Sequence, residues 1–132
     1  VRIVVDSSVL VAIATFEADR AAYMQVMEGA DELLISPMNY VETGIVLTGR
    51  GLFISREGFD KWLSDYRVRI ASEPVVDALA LDAYLTFGKG RHPAKLNLAD
   101  CFAYALAKTL DAPLLYKGDD FPLTDVRSAL NA

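Results

Sequence analysis

Three short runs carry no charged or amide side chain: Ile3-Val4-Val5, Leu33-Leu34-Ile35 and Pro113-Leu114-Leu115-Tyr116. A strand with one wet face alternates apolar and polar residues. A continuous apolar run belongs to a strand covered on both faces, the usual state of a parallel sheet. Between these runs, apolar residues recur at helical spacing. From Val9 to about Glu28 the spacing predicts two helices, broken near Thr15–Glu17. Ser36-Pro37 reads as the cap and first turn of a helix that stops at Gly49-Arg50-Gly51. Ser55 opens a helix carrying Phe59, Trp62, Leu63 and Tyr66, and Val68-Arg69-Ile70-Ala71 reads as a further strand. A helix follows over residues 77–87, and Asn97 caps a long one ending at Leu110. The fold class is therefore α/β, a three-layer α/β/α arrangement around a central, mostly parallel sheet of four or five strands. All 132 residues are expected to form a single domain.

Composition narrows the chemistry. Hydrophobic residues make up 53% of the chain, enough to fill a core and to exclude disorder. One cysteine, Cys101, permits no internal disulfide, and with a single histidine, His92, it leaves no zinc site of the usual N/S kind. No apolar run is long enough to span a bilayer, and Val1 opens directly into strand-like sequence. The expected location is cytoplasmic. The net charge of −5 argues against sequence-independent coating of nucleic acid, but not against one local basic patch.

Four acidic residues stand out. In open parallel sheets, ligands gather beyond the carboxyl ends of the strands. Asp6 follows the first strand and Asp119 the last, which puts both on one rim. Taken singly, Asp6 is explained as a helix cap and Asp119 as a turn residue. Asp100 has the capping-box spacing from Asn97, yet its helix is apolar nearly all round. Leu98, Phe102, Ala105, Leu106 and Thr109 make one stripe, with Ala103 and Ala107 flanking Asp100 on the other side. Glu42 repeats the anomaly among Met38, Asn39, Ile45 and Val46, with Arg50 as its available ion-pair partner. A buried carboxylate needs a compensating charge. Four acids without histidine or cysteine form a hard, all-oxygen site suited to Mg²⁺ or Mn²⁺, and one or two such ions suit phosphodiester hydrolysis.

The loop Gly88–Lys95 presents Lys89, Arg91, His92 and Lys95, with two glycines that would let backbone approach a phosphate. Beside an acidic metal site, it reads as an RNA contact. His92 stands before Pro93 in a flexible loop, which suits phosphate contact better than triad chemistry. Cys101 is expected to be an inert core residue, and Phe59, Trp62 and Tyr66 core or dimer interface. Capping explains Ser7 and Asn97.

Together these motifs resemble the PIN-domain toxins called VapC. The resemblance rests on Val4-Val5-Asp6-Ser7-Ser8, on Ser36-Pro37 followed by Glu42, and on Leu96-Asn97-Leu98-Ala99-Asp100-Cys101-Phe102-Ala103-Tyr104-Ala105. Leu114-Leu115-Tyr116-Lys117-Gly118-Asp119-Asp120-Phe121 with Thr124-Asp125-Val126 completes it. It covers essentially the whole chain. It implies an endoribonuclease whose metal quartet is Asp6, Glu42, Asp100 and Asp119, held inactive by a cognate VapB antitoxin and assembled as a homodimer. The family often has Gly where Ala99 stands and Asn at position 119, so Asp120 is an alternative to Asp119. Two other functions compete: a Mg²⁺-dependent phosphatase of the haloacid-dehalogenase type, and a degenerate PIN-like module that only binds. The phosphatase would want an acid two residues after Asp6, where this chain has Ser8.

Overall fold

The apolar runs become strands because each has helices to cover both of its faces. The computed structural model describes residues 1–130. Strands β1 (Arg2–Val5), β2 (Glu32–Ile35), β3 (Val68–Ile70) and β4 (Leu114–Leu115) form one sheet in the order β3-β2-β1-β4. Every pairing is parallel, with Ile3 opposite Leu33, Leu34 opposite Arg69, and Val5 opposite Leu115. Side chains alternate across a strand. Ile3, Val5, Leu33, Ile35 and Leu115 accordingly enter one core, while Val4, Leu34 and Leu114 enter another. Beyond β4, the backbone of Arg127 and Ala129 bonds Leu114 on its outer side, closing that edge.

The first core is covered by α1 (Ser7–Ala14), α2 (Arg20–Glu28), α3 (Pro37–Gly49) and α4 (Arg56–Asp65), and the second by α5 (Asp77–Phe87) and α6 (Leu98–Leu110). The break between α1 and α2 falls where the spacing placed it, and Ser36, Ser55 and Asn97 all accept backbone N–H groups as caps. Phe59 is a core residue with Trp62 and Tyr66 partly buried against the same core; Phe59 stacks on Tyr40 and Trp62, Phe53 tilts against both Phe59 and Trp62, and Tyr66 meets Trp62 edge-on. One expectation about α6 is corrected. Leu98, 64% exposed, and Thr109 face solvent, so the buried surface runs through Ala99, Cys101 and residues 103–107 instead.

The loop between α5 and α6 is not flexible in its hydrogen bonding. Lys89 N–H donates to Leu96 O and Leu96 N–H to Phe87 O, while His92 Nδ1 accepts from Ala94 N–H and its ring meets Phe87 edge-on. Gly88 has a packing task. A Cβ there would collide with the Tyr84 ring and carbonyl, so close packing on α5 requires glycine.

The chain runs outward from β1 to β2 and β3, then crosses back to lay β4 on the other side of β1. The strand order reverses between β1 and β4, and in such sheets the crevice at that point is where ligands bind.

Candidate metal centre

The carboxyl end of β1 delivers Asp6 into this crevice. Asp6 is the N-cap of α1 and is 4% exposed. Its Oδ2 accepts from Ser8 N–H at 3.0 Å and Ser8 Oγ–H at 2.6 Å, and its Oδ1 accepts from Asn39 Nδ2 at 3.4 Å. Burial, the largest influence, raises the pKa of Asp6, and the charge of Glu42 pushes the same way. The hydrogen bonds from Ser8 oppose both.

Beneath Asp6 lies Asn39, which is fully buried at 0% exposure. Ser36 Oγ donates to its Oδ1 at 2.5 Å, and its Nδ2 donates to Ser7 Oγ at 3.1 Å. Its carbonyl accepts from Ser7 Oγ and from Thr43 Oγ1. Ser7 is not a cap, since Asp6 caps α1, and Ser36 is more than one: both are tied into a polar network that fixes the Asp6 carboxylate.

Four carboxylates line the cleft: Asp6, Glu42 from α3, Asp100 from α6, and Glu17, which is paired with Lys117. The capping box of α6 is fully formed, with Asp100 N–H donating to Asn97 Oδ1 and Asn97 N–H to Asp100 Oδ2. Asp100 is not only a cap. Burial, reinforced by the charges of Asp6, Glu42 and Asp120, pushes its pKa up to about 7, against one lowering hydrogen bond from Asn97. Glu42 and Arg50 line the cleft together, yet among the described residues neither forms an ion pair. The salt-bridge explanation of Glu42 is thereby removed.

Asp119 does not join them. It is exposed on the turn after β4 and does not line the cleft, whereas the neighbouring Asp120 stands near enough for its charge to act on Asp100. The basic loop also lies outside the cleft walls. Lys95 ends it two residues before Asn97, which does line the cleft. Among the described residues no three Asp, Glu, His or Cys side chains stand close enough to hold an ion by themselves. The donor set still fits a small hard cation, because Mg²⁺ commonly takes one or two carboxylates directly and keeps its waters for the rest.

Lys117 was unmarked by spacing. Its backbone N–H donates to Ser8 Oγ at 3.0 Å, and its ammonium pairs with Glu17 and Asp19 at the cleft mouth. The Lys117 hydrogen bond holds the Glu17 carboxyl below the usual range. Through Ser8, the turn after β4 is thus connected to Asp6. The only sequence signal for Lys117 was its place immediately beyond an apolar strand.

Residues 3–126 match the family model described as PIN domain. The chain belongs to the PIN-domain family. This PIN domain is 44% identical over 131 residues to a ribonuclease VapC of Mycolicibacterium smegmatis, covering 93% of this chain and 96% of the relative. It is 40% identical over 124 residues to ribonuclease VapC30 of Mycobacterium tuberculosis, covering 93% and 95% respectively. The crystal structure of Mycobacterium tuberculosis VapC20, described as a sarcin-ricin loop cleaving toxin, superimposes with a TM-score of 0.68 over 95% of this chain and 98% of that one. At 19% identity, that likeness speaks for the fold. The resemblance to VapC-type PIN domains is borne out, and the phosphatase alternative falls with it. Ser8, in the position where a phosphatase would place its second acid, is bonded to Asp6.

Proposed function

We propose that this PIN domain is a Mg²⁺- or Mn²⁺-dependent endoribonuclease toxin acting in the cytoplasm and restrained by a VapB-type antitoxin. The observation that carries the reading is the cleft at the β1/β4 switch point, where Asp6, Glu42 and Asp100 share one space and, among the described residues, no cation is paired to any of them. The named activity of its VapC relatives supports the same chemistry. Asp6, Glu42 and Asp100 would hold the ion, with Asp120, whose charge acts on Asp100, completing the set in place of the exposed Asp119. Bound there, the ion supplies Lewis acidity, activating water and neutralising charge on the scissile phosphate.

The protein's own residues do the rest. Asn39 and Ser8 hold Asp6 in one orientation, and the capping box holds Asp100 by Oδ2 with Oδ1 turned to no partner among the described residues. Lys89, Arg91, His92 and Lys95 lie on the approach to Asn97, where they would meet the RNA backbone. Among the described residues no helix is long and apolar enough to cross a membrane. Exposed Leu81 and Leu98 border a groove between α5 and α6, an apolar face that supports assembly as a homodimer.

The test is a cleavage assay on total cellular RNA. Cleavage is expected with Mg²⁺ or Mn²⁺ and none in excess chelator, with activity returning when the ion is restored. Full cleavage by protein of verified zero metal content would remove the metal mechanism and leave the carboxylates without their proposed role.

A further inference from the structure

Among the described non-glycine residues with left-handed backbone, only Phe16 is apolar; the others are Arg67, Lys95 and Asp111. Two of those use their side chains within the fold. Arg67 donates to Met27 O and Ala30 O, and Asp111 accepts from Arg127. Phe16, at φ 57°, is 74% exposed and packs into neither core. A position of this shape favours glycine, and an aromatic ring in water contributes nothing to folding. The ring is nonetheless partly organised. The Arg20 guanidinium lies over it, 4.4 Å from Cζ to the ring centroid, and is itself anchored on Ile13 O at 3.0 Å and Tyr66 Oη at 3.2 Å. The next residue, Glu17, lines the acidic cleft.

We propose that Phe16 is a stacking platform for an unpaired nucleobase of the RNA, seated where the strand leaves the cleft. This rests on the ribonuclease reading of that cleft. One ring face carries the guanidinium, and the residue as a whole stays 74% exposed. An aromatic face beside a cation is how proteins receive single-stranded bases next to their phosphates. Arg20 both stiffens the ring and sets a positive charge beside it.

Binding of an oligo(A) single strand and of a blunt RNA duplex, measured by fluorescence anisotropy in chelator, tests this directly. Phe16→Gly should weaken single-strand binding about ten-fold, the scale of one lost base stack, and leave duplex binding unchanged. Phe16→Trp should restore single-strand binding, with quenching of the new indole, whereas Phe16→Leu should not. In Mg²⁺, Phe16→Gly should raise the KM for single-stranded substrate rather than lower kcat. Phe16→Gly should also melt no lower than wild type, since glycine relieves the backbone, so weaker binding would not reflect unfolding. Equal binding by wild type and Phe16→Gly would overturn the proposal, as would a lower melting temperature for that variant. Rescue by Leu as complete as by Trp would also overturn the proposal, since an apolar contact without an aromatic face would then suffice. Wild-type protein that binds no single strand at all would instead bring down the ribonuclease reading together with this one.

Discussion

Asp100 is both things its spacing allowed. Its Oδ2 completes the capping box, and burial beside Asp6, Glu42 and Asp120 raises its pKa from 3.8 to about 7. The sign of the consequence follows from that direction. A carboxyl group with a raised folded pKa contributes stability that is complete at low pH and disappears as pH climbs from 3.8 through about 7. Asp100→Asn keeps an acceptor for Asn97 N–H and removes the charge. The metal-free variant should therefore melt with the wild type or slightly below it near about pH 4, and as high or higher near about pH 8. Its cleavage rate should fall by about 10²–10³-fold, the scale for losing one group that manages developing charge. Thermal melts at both pH values, beside a cleavage assay, check this. A constant deficit of about 1 kcal/mol at every pH, with cleavage intact, would make Asp100 a cap and nothing else.

Among the elements, the α5–α6 loop and the α3 helix show how the same residues change meaning once placed. The loop is held by its own backbone bonds and by Gly88 packed on Tyr84, so its lysines sit at defined positions beside the start of α6. Arg91 Nε donates to Leu85 O, which gives that side chain a structural task as well. Lys89 and Lys95 are the cleaner probes. Changing both to Ala should raise KM and flatten its dependence on log salt, by about 0.7 for each single-strand phosphate that is no longer neutralised. An unchanged salt slope would exclude the loop from the RNA footprint. On α3, the spacing that marked Glu42 also contained Asn39, and Thr43 stands next to Glu42 in the chain. Asn39 and Thr43 prove fully buried and bonded to one another, while Ile45 in the same run is exposed.

For the whole molecule, folding itself gathers like charges at one crevice, and it is the folded state alone that can offer them to a cation. Anything that binds only the folded state stabilises it by mass action, by about 2.7 kcal/mol at a hundred times its dissociation constant. Mg²⁺ should accordingly raise the melting temperature of the wild type more at about pH 8 than at about pH 5, where Asp100 is protonated. Asp100→Asn should shrink the increment. Calorimetric melts with Mg²⁺, against sodium chloride at matched ionic strength, separate binding from screening. An identical rise with the monovalent salt would show that the carboxylates bind no ion.

The element order, the caps and the anomalous acids Glu42 and Asp100 were legible in the sequence, because periodicity and capping act between residues only a few positions apart. The acidic cleft was legible only as far as Asp6, Glu42 and Asp100. Tertiary structure alone decided that β4 lies beside β1 and that Asn39 stands under Asp6, 33 residues away. The tie from Ser8 to Lys117 spans 109 residues. It likewise decided that Asp119 is left outside the cleft, that Leu98 faces water, and that Phe16 adopts a backbone suited to glycine. Such facts depend on which buried polar groups find partners across the sheet. A group's desolvation and its neighbours' charges exist only once distant segments are packed together.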